Sequence, residues 1–288
     1  MTNMTTVDLF AIGNALIDQE FKVSNEFLTQ QALQKGTMQL TDGETQAALY
    51  QQLQDTQNYK GQASGGSAAN TTVAFSALGG TAFYGCRVGN DDLGSIYLNG
   101  LNEAGIKTAA QSISEGVTGT CMVLISPDSE RTMHTYLGIT AELTAEQIDF
   151  EPLKAAKWLY IEGYLSTSDT ARVAVKQARE LAKAHGVKIA LSLSDPAMVQ
   201  YARQGLEELL DDGVDLLFCN EQEALMFSNT ETLDAAIEVL KSKNQHIVIT
   251  QGANGAVIID PEQQFHVAGR EVHAVDTNGA GDAFAGAF

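Results

Sequence analysis

From about residue 140 onward, short apolar runs alternate with helical patterns, and this alternation restricts the fold more than any other feature of the chain. Strands fit Trp158 to Ile161, Lys188 to Leu193, Leu216 to Cys219 and His246 to Thr250, with helices at Thr170 to Ala184, Tyr201 to Leu210, Asn220 to Phe227 and Leu233 to Lys241. Leu233, Ile237 and Leu240 keep helical spacing, so their stripe is a core face. Continuously apolar strands separated by helices imply an α/β fold, a doubly wound and mostly parallel sheet covered on both faces. At 288 residues the chain is one large domain, or one domain with an appendage.

The N-terminal half departs from that rhythm. Val7 to Ile12 reads as a buried strand that ends at Gly13-Asn14, the kind of polar break where open α/β sheets place ligands. Ala15 to Val23 reads as a second extended piece carrying Asp18, and Asn14 and Asp18 are by themselves ordinary turn residues. Residues 26 to 54 suggest two helices around a short strand at Met38 to Leu40, with the glutamines on a solvated surface. Gly65-Gly66 precedes a helix of small residues that contains Asn70. Thr81 to Val88 reads as a strand, and Asp91 and Asp92 cap the helix that follows. Thr120 to Ser126 and Arg131 to Tyr136 flank a polar turn and form a β-hairpin. Lying between βα units, that hairpin belongs to a small β-sheet lid. The expected division is a core of residues 1–14, 65–111 and 141–288 and a lid region of 15–64 and 112–140. Open lid edges would suit a homodimer.

Charge and cysteine usage narrow the function classes. A net charge of −19 with only 17 basic residues makes nucleic acid and anionic membranes poor partners. The acidity fits a salty habitat or plain solubility, and an enzyme of this composition that handles phosphates must hold them with backbone amides and a metal ion. Cys86, Cys121 and Cys219 are far apart and form no C-x-x-C pair, which disfavours a disulfide framework or a zinc site. No signal peptide opens the chain and no run reaches membrane-spanning length, so a cytoplasmic protein is expected.

The chemistry concentrates at the C-terminal end. Asp276-Thr277-Asn278-Gly279-Ala280-Gly281-Asp282 reads as a loop opening a helix whose free N–H groups would face one point, with the positive end of the helix dipole behind them. Asp282 would repel an anion there unless it holds a hydroxyl that attacks a phosphoryl group in transit. A capped helix start explains the same residues locally. Asn220 and Glu223 are three apart and could orient a hydrated Mg²⁺, or form a capping box. Thr250-Gln251-Gly252-Ala253-Asn254-Gly255 follows a strand as a Gly-x-x-Gly loop. No G-x-x-x-x-G-K-[ST] occurs, and Phe284 stands where a Rossmann fingerprint needs Gly.

Four of these stretches together resemble the PfkB family of ribokinase-like sugar and nucleoside kinases, in the family's order and across nearly the whole chain. The resemblance implies that Asp282 is the catalytic base, with Gly279, Ala280 and Gly281 forming an anion hole. Gly-Asn-Ala-Leu-Ile-Asp resembles adenosine-kinase-like members and implies that Asn14 and Asp18 hold substrate hydroxyls. Gly-Gly-Ser-Ala-Ala-Asn implies a lid hinge at Gly65 and Gly66 and a substrate contact at Asn70. Lid strands resembling those of sugar and nucleoside kinases make Arg131 a substrate contact, or a partner of Glu130. Asn-x-x-Glu implies a phosphate and metal role for Asn220 and Glu223, and Thr250, Gly252 and Gly255 would line bound ATP. The implied reaction is transfer of the γ-phosphate of ATP, with Mg²⁺, to a primary hydroxyl of an adenosine-like nucleoside. A ribose, fructose or 2-keto-3-deoxygluconate type kinase is the alternative, and a non-catalytic binding relative the next. Asp276 and Asn278 would form half of a K⁺ site. The chain stops at Phe288, two turns into the catalytic helix, where relatives continue into an adenine pocket.

Overall fold

The computed structural model describes residues 7–54, 58–128, 130–272 and 279–288. Among these, a nine-stranded sheet runs in the order Gln264–Val267, Ala256–Ile259, His246–Thr250, Leu216–Asn220, Lys188–Ser192, Trp158–Glu162, Leu9–Ile12, Ala82–Gly85, Lys107–Thr108. The strands from His246–Thr250 onward are parallel to their neighbours. The first two pair antiparallel.

Strand periodicity divides the core into two layers. Phe10, Ile12, Leu159, Ile161, Leu191, Leu217 and Ile249 bury on one face, where Ala171, Ala174, Val175, Ala178 and Ala182 of helix Asp169–His185 meet them. Leu9, Ala11, Tyr160, Ala190, Leu216, Phe218 and Val248 bury on the other. Alternate residues of each strand therefore serve opposite faces, which is why the strands read as continuously apolar.

The expected doubly wound core is present, with local differences. The stretch expected as one helix, Tyr201 to Leu210, is the second of two, Pro196–Tyr201 and Arg203–Leu210. Asp195 caps the first by accepting from the Ala197 N–H, Pro196 starts it, and Ala202 at φ −124° interrupts it. The expected strand Thr81 to Val88 divides into Ala82–Gly85 and Val88–Gly89.

A separate five-stranded sheet has the order Met38–Leu40, Arg131–Tyr136, Gly119–Ile125, Leu16–Lys22, Tyr59–Gly65. The hairpin is antiparallel as expected, and Leu16–Lys22 lies parallel to Gly119–Ile125. Phe21, Met122 and Leu124 on its outer face join Leu28, Leu49 and Leu53 of helices Asn25–Gln30 and Gly43–Gln54 in a core of their own. The expectation that the glutamines are all solvated fails at Gln46. Its amide is buried and donates to the backbone oxygens of Thr120 and His134 at 3.0 and 3.1 Å, pinning the helix to both hairpin strands.

Among the described residues no helix is long and apolar enough to cross a membrane. Cys86, Cys121 and Cys219 are buried free thiols.

The C-terminal helix Ala280–Ala287 packs on helix Ser67–Ala77 at very short range. A Cβ on Gly286 would lie 2.4 Å from the Thr71 carbonyl oxygen and 2.9 Å from the Ala74 Cβ. Only glycine permits that approach. Gly286→Ala should destabilise the protein by about 1–3 kcal/mol despite alanine's better helix propensity, because backbone must move to admit the methyl group. Urea unfolding at constant m-value checks this, and an unchanged midpoint would refute it.

Candidate active site

Strand Leu9–Ile12 sits between strands that the chain reaches in opposite directions. Ala82–Gly85 lies on one side and Trp158–Glu162 on the other. The carboxyl ends of the strands open there into the crevice that such a reversal leaves. A cavity of about 390 Å³ occupies it. Its wall includes Asn14 after the first strand, Glu162 and Asn220 ending two others, and Asp282 from the C-terminal helix.

The lid sheet closes one side. In register across it run Leu40, Thr135, Cys121 and Asp18, all on the face turned to the cavity. Met38 and Met133 form the adjacent row, with Leu16 and Leu137 nearby in the same wall. The cavity-facing lid surface is therefore mostly apolar, with one carboxylate at its inner end. A Cβ on Gly65 would sit 2.4 Å from the Asp18 carboxylate, so this position admits no side chain without displacing Asp18. Gly65 ends the last lid strand, and Gly66, at φ 99°, opens helix Ser67–Ala77, so this pair joins lid to core.

That helix presents Ser67 and Asn70, three residues apart on one face, to Asp282. Ser67 Oγ donates to Asp282 Oδ1 at 2.6 Å and Asn70 Nδ2 donates to Oδ2 at 3.2 Å. Asp282 lies in the first turn of helix Ala280–Ala287, where the N–H groups of residues 280 to 282 have no acceptor within the helix. Gly279, Ala280 and Gly281 share the cavity wall with it. Burial raises the Asp282 carboxyl above its ordinary range, and the hydrogen bonds from Ser67 and Asn70 oppose that rise.

Toward the far end, Asn220 and Glu223 close a reciprocal capping box. The Glu223 N–H donates to Asn220 Oδ1 at 2.8 Å, while the Asn220 N–H and Nδ2 donate to the two Glu223 oxygens at 2.9 and 2.6 Å. The pair thus forms the capping box of helix Glu221–Ser228, and it lines the cavity, as does Thr250. Burial, with the nearby Asp195 charge, lifts Glu223 to about 7. No Lys, Arg or His is among the described wall residues, which include four acids, Asp18, Glu162, Glu223 and Asp282.

Several sequence candidates stand apart. Arg131 is not among the cavity-wall residues; it stands on the same lid face as Met133 and Thr135, with Nη1 3.7 Å from Glu20, and its charge opposes the rise of the Asp18 carboxyl. Gly252 and Gly255 lie beside the wall in the turn after Thr250, both with positive φ. Asp276 and Asn278 lie outside the described residues.

Two residues escaped the sequence reading. Ser67 was unremarkable within a run of small residues. Glu162 follows an apolar strand, where a charge signals either a surface or a site, and it is 0% exposed. Tyr164, two residues further on, is in the wall too.

A ligand crevice at the switch point of an α/β sheet, a β-sheet lid, and an aspartate in an amide-lined helix turn define a phosphotransferase that acts on a hydroxyl group. The comparisons agree. The pattern that defines the pfkB family of carbohydrate kinases matches residues 35–288, and the chain belongs to that family. It is 30% identical to the adenosine kinase of Saccharomyces cerevisiae over 98% of this chain and 88% of that protein. The crystal structure of an adenosine kinase from Sinorhizobium meliloti superposes with a TM-score of 0.89 at 33% identity, covering 98% of this chain and 86% of the other. That of a probable sugar kinase from Rhizobium etli gives 0.91 at 32%, covering 98% and 85%.

The buried acids make stability depend on pH in a definite direction. Glu162, Asp18 and Glu223 rise from ordinary values of 4.5, 3.8 and 4.5 to about 7, chiefly through burial. The folded state then holds protons that the unfolded chain releases, so their contribution is fully present below pH 4 and is lost as pH rises toward 7. The urea midpoint should be higher at pH 5 than at pH 7.5, with part of the difference gone in Glu162→Gln. A midpoint that rises across this window would contradict the burial of these carboxylates.

Proposed function

We propose that this chain transfers the γ-phosphate of ATP to the primary hydroxyl of a nucleoside. The observation that carries the kinase reading is Asp282, held by two donors beside the unpaired amides of its own helix turn. A hydroxyl presented to its carboxylate would face a phosphoryl group resting on those amides. An aspartate is a weak base for an alcohol, roughly ten pK units short. Proton transfer therefore comes late, as the oxygen–phosphorus bond forms, and Asp282 acts first by aiming the hydroxyl.

The nucleoside reading rests on the lid face. Asp18 and Asn14 can accept and donate to a vicinal diol, and beyond Asp18 the wall turns apolar through Leu16, Leu40, Met38 and Met133. A flat base would bury against that surface, whereas a free sugar has no apolar group to place there. Gly65 and Gly66 serve as the hinge by which the lid closes and excludes water.

A divalent cation fits the donor set. With no basic side chain among the described wall residues, the charge of a polyphosphate is left to backbone amides and a cation. Mg²⁺ takes few protein ligands and keeps water and phosphate oxygens, which suits the one buried carboxylate beside Asn220, Glu223. Among the described residues no group of three or more acidic, His or Cys side chains forms a closed metal cage. When bound, such a cation neutralises phosphate charge, and Asn220 and Glu223 are the residues that would hold it through water. Thr250 would contact the nucleotide.

A coupled ADP-release assay with ATP-Mg²⁺ against adenosine, inosine, ribose, fructose and 2-keto-3-deoxygluconate tests the reading. Turnover with a nucleoside is expected, and turnover with sugars alone overturns the nucleoside assignment. Asp282→Asn should lower kcat by about 10²–10⁴-fold with little change in acceptor binding. Because burial raises Asp282, the acid limb of kcat should lie above the ordinary carboxylate range. Ser67→Ala removes a donor that favours the ionised form, so it should move that limb higher still; a limb that stays put or falls refutes the contact.

A further inference from the structure

Glu162 is wholly buried, yet both its oxygens are committed to groups that line the reaction site. Oε1 accepts from the Asn14 N–H at 2.7 Å and from Asn14 Nδ2 at 2.9 Å. Oε2 accepts from the Ala68 N–H at 2.7 Å, in the first turn of helix Ser67–Ala77. Asn14 is further held through its backbone oxygen, which accepts from the Tyr84 hydroxyl at 3.0 Å. One carboxylate thus joins the loop after the first strand to the start of the helix whose Ser67 and Asn70 grip Asp282.

Burying a charged group at the centre of a domain is unfavourable unless every lone pair is answered, and apolar packing would serve stability at least as well. The surroundings are otherwise suited to an apolar side chain, since Ala11, Ala15, Ala68 and Tyr84 pack in the same layer. What a carboxylate supplies here, and a leucine would not, is a rigid three-point link between two elements separated by more than fifty residues. A neutral amide cannot replace it. Glutamine carries one acceptor end and one donor end, so either Ala68 or Asn14 would face a donor.

We propose that Glu162 is a positioning residue that couples the acceptor grip at Asn14 to the orientation of the base Asp282, acting through Ala68 and Ser67. This rests on the kinase reading but not on the choice of nucleoside. Relaxing the link lets the acceptor hydroxyl and the Asp282 carboxylate drift relative to each other, and a misplacement of about 1 Å is worth on the order of 10²-fold in rate. The nucleotide end, at Asn220 and Thr250, is tied to other strands and is left in place.

The test is a double-substitution cycle on the full chain with Glu162→Gln, Ser67→Ala and the combination. kcat and the KM of each substrate are measured, and folding is followed by thermal melting. Glu162→Asp, one methylene shorter but still charged, is the second variant should the glutamine fail to fold. The expected result is a fall in kcat of roughly 10–100-fold with a raised acceptor KM and an unchanged ATP KM. The double variant should lose little more than the worse single, because residues acting as one unit are not additive. A purely structural role would lower the melting temperature and the active fraction while leaving both KM values alone. That result, or losses that multiply in the double variant, overturns the proposal. The wild type's own acceptor preference is read first. If it phosphorylates only a sugar, the nucleoside reading fails by itself, and the cycle is run on that sugar with the same two outcomes.

Discussion

The site exists because two helices from opposite ends of the chain approach closely enough for side chains on one to hold a carboxylate on the other. Gly286 allows the contact by presenting no Cβ to the Thr71 carbonyl. Ser67 and Asn70 then reach Asp282 across a sequence separation of more than two hundred residues. Without that contact Asp282 would be a solvated first-turn aspartate, and the amides beside it an ordinary helix end.

Electrostatics explains why the neighbourhood is so unusual. Four acids face or underlie a cavity whose described wall has no basic residue, and burial holds three of them near 7. Such a wall repels polyphosphate unless amides and a cation intervene. In the proposed reaction the acceptor and phosphate sides would be distinguished by partner chemistry, with carboxylates for hydroxyls and backbone N–H groups for oxyanions. The lid adds a third surface, apolar and separately cored. Its own helices and Gln46 give it a core separate from that of the main sheet.

The parallel sheet was legible because strands buried on both faces must be continuously apolar, and the helices between them must carry a stripe. Helix Leu233–Lys241 and strand His246–Thr250 have the expected bounds. Strand Tyr59–Gly65 was not legible, since it is an exposed and polar lid edge held mainly by pairing with Leu16–Lys22. Gln46 was misread for the converse reason. Its burial depends on carbonyls from two distant strands, which no local pattern reports.

Local chemistry determined what two of the motifs could do: glycines and a first-turn aspartate at 279–282, and an amide and a carboxylate three apart at 220 and 223. These follow from residue type and short spacing, which survive translation from sequence to structure. Tertiary structure alone decided which motifs meet. It drew Ser67 and Asn70 to Asp282, brought Arg131 to Glu20, and joined Glu162 to Asn14 and Ala68. Hydrogen bonds between residues far apart in the chain depend on the packing of whole elements, and that packing is written in no single stretch of residues.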